Sequence, residues 1–380
     1  MPAGWLADRF DRRLLLASGV VIWAIAVAVN AALTTFLAVI AARVVVGAAE
    51  ALIPPASYSL IRDGVDEQRR ARALSVYTMA LMVGTGLSLV LGGPLLEWVQ
   101  SSGIQSALPF GNVSVWQATL FIIGIVGFPM ALLIFLNKDP GRGEERGNAP
   151  VMTIQAVVSD LAVRKSLFVP LLVFSIANSM ITYGLAAWMP TMISRHFQLG
   201  IGEIGFLQGT ILLTMGPLGL GVAGMCMESR QRASGVARLG VLSVLVSFAV
   251  MSLSVLLCMS GTINTFWTLD ASMVLFTGTS IALTSTLVTR TVSNHAVGLV
   301  MAIVLVLNGL VGQGLAPTLI ALVSQHFFGT GPDALANGMA AVFGTSGLVA
   351  TAGAIFLYRA LRHIDRIARA EIEQVGLATQ

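Results

Sequence analysis

Residues 4–13 read GWLADRFDRR, and five of the six positions from Asp8 to Arg13 carry charge. Only three residues precede the stretch, and an apolar run begins directly behind it at Leu14. A basic cluster set hard against an apolar run is the mark of a loop on the inner side of a membrane span. How often that pattern recurs, and on which side its charges fall, decides the fold.

Hydrophobic residues make up 56% of the 380-residue chain and charged residues 11%. A soluble domain cannot hide that much apolar surface, so the solvent for most of this chain is lipid. Ten apolar runs stand out, at residues 14–33, 36–61, 71–98, 116–136, 167–193, 204–227, 235–259, 266–289, 296–323 and 336–358. Each can cross a hydrocarbon layer of roughly 30 Å as a helix. Period-two alternation is absent, so a β-barrel is not expected. If residues 1–13 are cytoplasmic, 20 of the 22 Lys and Arg fall on the cytoplasmic side. Only Arg195 lies outside, and Arg43 lies within a span. The expectation is a multi-pass integral membrane protein with both termini cytoplasmic, in the inner membrane if the source is bacterial. The net charge of +4 is then a topology signal, and no nucleic-acid partner is expected.

Cys226 and Cys258 lie in or beside spans and read as packing residues. The histidines lie scattered at span ends without metal-ligand spacing, so no metal site is expected. No signal peptide precedes the first span. Trp98, Trp116, Trp188 and Trp267 fall near the expected outer ends of spans, where interfacial anchors sit.

The longest internal loop divides four spans from six. The expected organisation is an N-terminal bundle at 1–136, a linker at 137–165, a C-terminal bundle at 166–358 and a cytoplasmic tail at 359–380. In the linker Val151, Ile154, Val158 and Leu161 recur at helical spacing and predict a helix lying on the membrane face. Leu361, Ile364 and Ile367 form a similar stripe in the tail, read as a solvated or interfacial helix.

The opening stretch has a counterpart, GMCMESRQR, at residues 224–232. Gly4, Asp8 and Arg12 correspond to Gly224, Glu228 and Arg232, each copy placed at a cytoplasmic turn before a long apolar span. One copy in each half indicates a duplicated bundle, as many secondary transporters have. The second copy follows two spans of the six-span half. By that symmetry two further spans are expected before Gly4, making a twelve-span architecture of which ten, four and six, are present.

These residues resemble the major facilitator superfamily. GWLADRFDRR is similar to its signature loop between spans two and three, Gly-x-x-x-Asp-Arg-x-x-Arg-Arg, through Gly4, Asp8, Arg9, Arg12 and Arg13. RVVVGAAEA resembles the fourth-span pattern Arg-x-x-x-Gly through Arg43 and Gly47. GTGLSLVLGGP resembles the fifth-span glycine motif through Gly84, Gly92 and Gly93, with Ser88 and Leu89 where the antiporter version has Gly-Pro. Within the superfamily, RVVVGAAEALIPPA and YGLAAWMPTMISRHFQLGIGEIGFLQG look most like the Spinster-like group. That resemblance implies an all-α integral membrane bundle and proton-linked export of lysolipids or related amphiphiles. It also implies that the opening loop latches the two halves on the cytoplasmic side, and that a fourth-span Arg and Glu work with a first-span Asp. Organic-anion/proton symporters share Arg-x-x-x-Gly-x-x-Glu-Ala and remain an alternative.

Arg43 and Glu50 are the sharpest local signal. Seven residues apart, they share one face of a helix about 10 Å apart in rise, with Gly47 between them to admit a neighbouring backbone. A charge near the bilayer centre costs roughly 2.5–3.5 kcal/mol on insertion scales, so both need a partner or a wet cavity. Glu50 is expected to gain and lose a proton, with Arg43 as its charge partner or a substrate anchor. Asp11 is expected to cap the helix that begins at Arg12. Asn178, Thr182 and Tyr183, and further along Asn308 and Gln313, are polar residues inside spans. By the resemblance Asn178 and Tyr183 face a substrate cavity, while Asp270 at a span end reads as solvated.

No nucleotide-binding loop or hydrolase motif appears, so neither an enzyme nor a cofactor is expected. The expected function is secondary active transport of a small organic or lipid-like molecule by alternating access with proton coupling. Its partners would be substrate, protons and membrane lipid, with the carrier a monomer. A non-transporting truncated remnant is the reading from a different class.

Overall fold

The computed structural model describes residues 10–108, 113–136, 161, 163–229, 236–292, 296–331 and 333–378. Among the described residues every regular element is helical, and ten helices are long and apolar enough to cross a membrane. The chain divides into two compact units, residues 1–147 with 201–206, and residues 148–200 with 207–380. Lipid dictates helices because each backbone N–H and C=O must find its partner within the segment.

The N-terminal unit holds α1 (Arg12–Val29), α2 (Phe36–Glu50), α3 (Ile53–Gly64), α4 (Glu67–Ser102) and α5 (Val115–Leu133). Asp11 starts α1 as the sequence predicts, accepting from the N–H groups of Arg13 (2.8 Å) and Leu14 (3.3 Å). The span at 36–64 is two helices in series. Pro54 and Pro55 occupy the first turn of α3 and have no N–H to give the carbonyls of Glu50 and Ala51, so α2 stops at Glu50. Ser114 starts α5 with a capping box in which Gln117 reaches back to the Ser114 N–H at 2.9 Å. The unit is held by α1 lying between α5 and the α2–α3 pair. At the α1–α5 crossing a methyl on Gly124 would sit 2.7 Å from Ala28 N and 2.8 Å from Ala24 O, so only glycine fits.

The C-terminal unit holds α6 (Lys165–Phe197), α7 (Ile201–Ser229, whose first six residues pack with the N-terminal unit), α8 (Ala237–Cys258), α9 (Ile263–Thr291), α10 (Val297–Leu307), α11 (Ala316–Val323) and α12 (Ala334–Ala378). Wide π turns join α10 to α11 at Asn308–Leu315 and close α11 at Ser324–Phe328. The core is packed around α12, which lies against α8 and α6, with Phe174, Phe343, Leu171 and Leu357 fully buried. The expected tail is no separate segment: α12 runs on through it. Leu361 is buried, and both Asp365 oxygens cap the start of α8, accepting from Val236 N (3.0 Å) and Ala237 N (2.8 Å). Of the linker stripe, Val151, Ile154 and Val158 lie outside the described residues, while Leu161 packs against the C-terminal core.

Leu37, Leu132, Leu245 and Leu310 each stand more than 60% exposed. On a soluble protein such faces would be unpartnered; on this one they face acyl chains. Replacing Gly124 by Leu should overpack the α1–α5 crossing and destabilise the protein by about 2 kcal/mol or more, seen as a lower unfolding temperature in detergent. An unchanged temperature would show that the two helices do not meet there.

Candidate functional site

Two of the polar places within spans bear on the residues singled out above, one in each unit. In the N-terminal unit α2 packs on α1 through Val46 and Ala49. Arg43, Gly47 and Glu50 lie on a part of α2 that the unit leaves exposed. Neither charged side chain has a hydrogen-bond or ion-pair partner among the described residues. Gly47 has nothing within 4 Å of where a Cβ would stand, so the close backbone approach expected there does not occur. Instead Glu50 is the last residue of α2, at the break imposed by Pro54 and Pro55. Broken helices in transporters place polar groups at the binding site, where the backbone lines a wet cavity.

The C-terminal unit carries an open cavity of about 200 Å³ between α6, α9 and α10. Ten of its fourteen lining residues carry a hydroxyl or amide, none is charged, and Ile281, Met301, Val304 and Leu305 supply the apolar wall. Asn178 and Tyr183 both line it, joined by Thr182, Thr277, Thr284 and Asn308. Asn308 Nδ2 donates to Ser175 Oγ at 2.9 Å, tying the start of the π turn to α6. Gly312 within that turn lies against Ser179 and Tyr183, two of the residues that line the cavity.

The hydrogen bonds give this cavity a sense. Thr182, Ser179, Thr277, Thr284 and Ser285 each donate their hydroxyl to a carbonyl of their own helix, at 2.7–3.1 Å. A carbonyl only accepts, so these hydroxyls have spent their proton and offer lone pairs. Asn178 donates to Phe174 O (2.8 Å) and Ser247 Oγ (3.3 Å), leaving its buried Oδ1 without a partner. The lining therefore offers more acceptors than donors, with the hydroxyls of Tyr183 and Ser280 not turned onto a described acceptor. Sequence reasoning found Asn178 and Tyr183 but not the α9 hydroxyls, because threonine and serine in a span look alike whether they pack or line a cavity.

A third cluster lies where α1 begins. Arg12 is 3% exposed and meets Asp63 Oδ2 at 2.6 Å, while Arg62 Nε donates to Asp63 Oδ1 at 2.9 Å. One partner of Arg12 thus sits at the end of α3, in its own unit; Asp63 was missed because Arg62-Asp63 reads as part of a basic loop. The Arg13 side chain bonds Asp11 at 3.1 Å and, with the helix N–H groups, holds that carboxyl below its ordinary 3.8. The cap is therefore fully present above that value and is lost only as pH falls through the lowered one. Gly4, Asp8 and Arg9 lie outside the described residues. In the second copy Gly224 and Glu228 belong to the last turns of α7 rather than to a loop, and Arg232 lies outside the described residues.

Trp98 and Trp116 are exposed as interfacial anchors should be. Trp188 instead donates its indole N–H to Pro317 O at 2.9 Å, and the Trp267 Nε1 is buried. Asp270, read as solvated, is 1% exposed, because the face of α9 that carries it also carries the buried Phe266 and Met273.

Helices of membrane-spanning length, a helix broken beside an intramembrane acid, and a cavity lined by hydroxyl and amide residues in one unit define an integral membrane protein of the transporter-fold class. The Major Facilitator Superfamily pattern matches residues 1–317, and the chain belongs to that family. It is similar to "Protein spinster" of Drosophila melanogaster, at 25% identity over 215 residues, 56% of this chain and 33% of the relative. It is also similar to "Probable anion transporter 6, chloroplastic" of Arabidopsis thaliana, at 23% identity over 222 residues, 54% of this chain and 40% of the relative. The chain thus spans well under half the length of these curated relatives. Among solved structures it is similar to a bacterial homologue of the human lysosomal transporter Spinster, inward-facing and unoccupied. The TM-score is 0.74 at 19% identity, covering 98% of this chain and 86% of that one.

Replacing Asp63 by Ala should remove the carboxylate that Arg12 meets at 2.6 Å and lower the unfolding temperature. The double replacement with Arg12→Ala should recover part of that loss in thermal unfolding. Additive losses would show that the two side chains do not interact.

Proposed function

We propose that the chain is a secondary active carrier working by alternating access, with Glu50 as the carboxylate that takes and releases the coupling proton. The observation that carries this is the exposed face of α2, with Glu50 at a proline-imposed helix break and Arg43 two turns away. Two charges within a span persist only where water reaches them. Arg43 then serves as the fixed charge that the empty, ionised Glu50 answers or that an anionic group of the substrate meets. The basic loops orient the carrier with both termini cytoplasmic. Membership of the superfamily and the likeness to Spinster proteins support transport as the activity.

The substrate reading follows from the C-terminal cavity. Its surplus of acceptors and its apolar wall suit an amphiphile bearing hydroxyl or amine donors on a small head. A second reading, organic-anion/proton symport, is favoured by the exposed Arg43 and by the likeness to the plant anion transporter.

Purified protein screened for thermal stabilisation should respond to donor-bearing amphiphiles, by about 2.7 kcal/mol at a hundredfold excess over Kd. Stabilisation by carboxylates alone would favour the anion reading. With the responding compound in proteoliposomes, Glu50→Gln should abolish flux driven by a pH gradient while preserving the unfolding temperature and the ligand shift. Undiminished flux in that variant removes Glu50 from the coupling step.

A further inference from the structure

The C-terminal unit holds an acid of its own that the carrier reading does not use. Asp270 lies two turns into α9, and no hydrogen bond or ion pair reaches its carboxyl among the described residues; Oδ2 is fully buried. Phe266, one turn earlier, is fully buried with its ring against Phe197 of α6, and Met273 closes the other side at 1% exposure. Two more buried polar atoms without partners lie at this end of the unit, Trp267 Nε1 and Gln208 Oε1.

The levels of these groups follow from the crossing of α7 and α9. Thr279 Oγ1 donates to Gly219 O at 3.4 Å, and helices two spans apart run in the same direction. Gln208 is eleven residues before Gly219, and Trp267 and Asp270 are twelve and nine before Thr279, so all three lie within about one helical turn of one another in level. The Gln208 amide nitrogen is already committed to Met189 Sδ at 3.2 Å, which leaves its carbonyl as the acceptor available there.

Ionisable groups on the packed elements do not supply a counter-charge. From α6 these are Lys165, Tyr183, Arg195 and His196; Arg195 is exposed, and His196 is paired with Asp333 at 2.9 Å. From α7 they are Glu203, Cys226 and Glu228, from α8 Arg238 and Cys258, and α10 carries none. Arg290 sits at the opposite end of α9. A bare carboxylate in this wall would be an uncompensated buried charge, whereas a neutral acid needs only one acceptor for its hydroxyl.

We propose that Asp270 is a proton-binding site of the C-terminal bundle, separate from Glu50. It shares a face of α9 with Thr277, seven residues on, which lines the acceptor-rich cavity. The bound proton therefore lies about two turns from the cavity, near enough for filling or emptying the cavity to bias it. That coupling role rests on the carrier reading; the protonation does not.

The test is infrared spectroscopy of the purified full chain in detergent, with no flux measured. At neutral pH the wild type should show a protonated-carboxyl band that is lost in Asp270→Asn, shifted in Asp270→Glu and retained in Glu50→Gln. Should Asp270→Asn fail to fold, the shift in Asp270→Glu decides. A wild type without the band, or a band unmoved in both Asp270 variants, overturns the proposal. So does loss of the wild-type band when choline chloride is exchanged for sodium chloride, which would mark a metal-cation site instead.

Discussion

Inside a hydrocarbon layer a backbone carbonyl without a donor has nowhere to turn, since no water is present to replace the missing bond. Helices meet that demand almost everywhere in the described residues, and two of the departures from the regular α-helix stand beside the polar places described above. At Pro54-Pro55 the carbonyls of Glu50 and Ala51 lose their helical donors, and Glu50 is the residue at the break. From Asn308 to Leu315 the ladder widens to a π turn, and Asn308 and Gly312 meet the α6 residues that line the cavity. An interrupted backbone and a concentration of polar side chains are stable in lipid under one shared condition, access to water or to a polar guest.

The two places differ in charge, and the difference assigns them different work. The α2 face carries an acid and a guanidinium and no described partner, a pair suited to exchanging protons and answering charge. The C-terminal cavity is lined by no charged residue; five of its hydroxyls are turned onto their own helices and present lone pairs. Charge sensing on one bundle and neutral recognition on the other would let one carrier separate its energy source from its cargo. Around both, close packing at Gly124 and the α12 contacts keep each unit stiff, so that polar groups hold their positions.

Much of this was legible in the sequence because lipid makes the rules simple. Apolar runs gave ten spans, seven-residue spacing put Arg43 and Glu50 on one face, and Asp11 before Arg12 gave a helix start. What stayed hidden depends on rotation and contact between helices. Asp270 looked like a solvated span end because its burial depends on which way α9 is turned. Thr277 and Thr284 became cavity residues only once α6 and α10 were placed beside them. Asp63 and Asp365 found their partners across gaps of about fifty and well over one hundred residues, which no local pattern encodes.

The central claim is that the Arg43–Glu50 face is wet. A variant with Cys226 and Cys258 replaced by Ser and a single cysteine at Gly47, where the site has open space, can be treated with a membrane-impermeant maleimide in sealed vesicles. Gly47→Cys should be labelled, while a cysteine at the exposed Leu132 of α5 should stay in lipid and unreactive. Equal resistance at both positions would put the acid and the guanidinium against acyl chains and contradict the account.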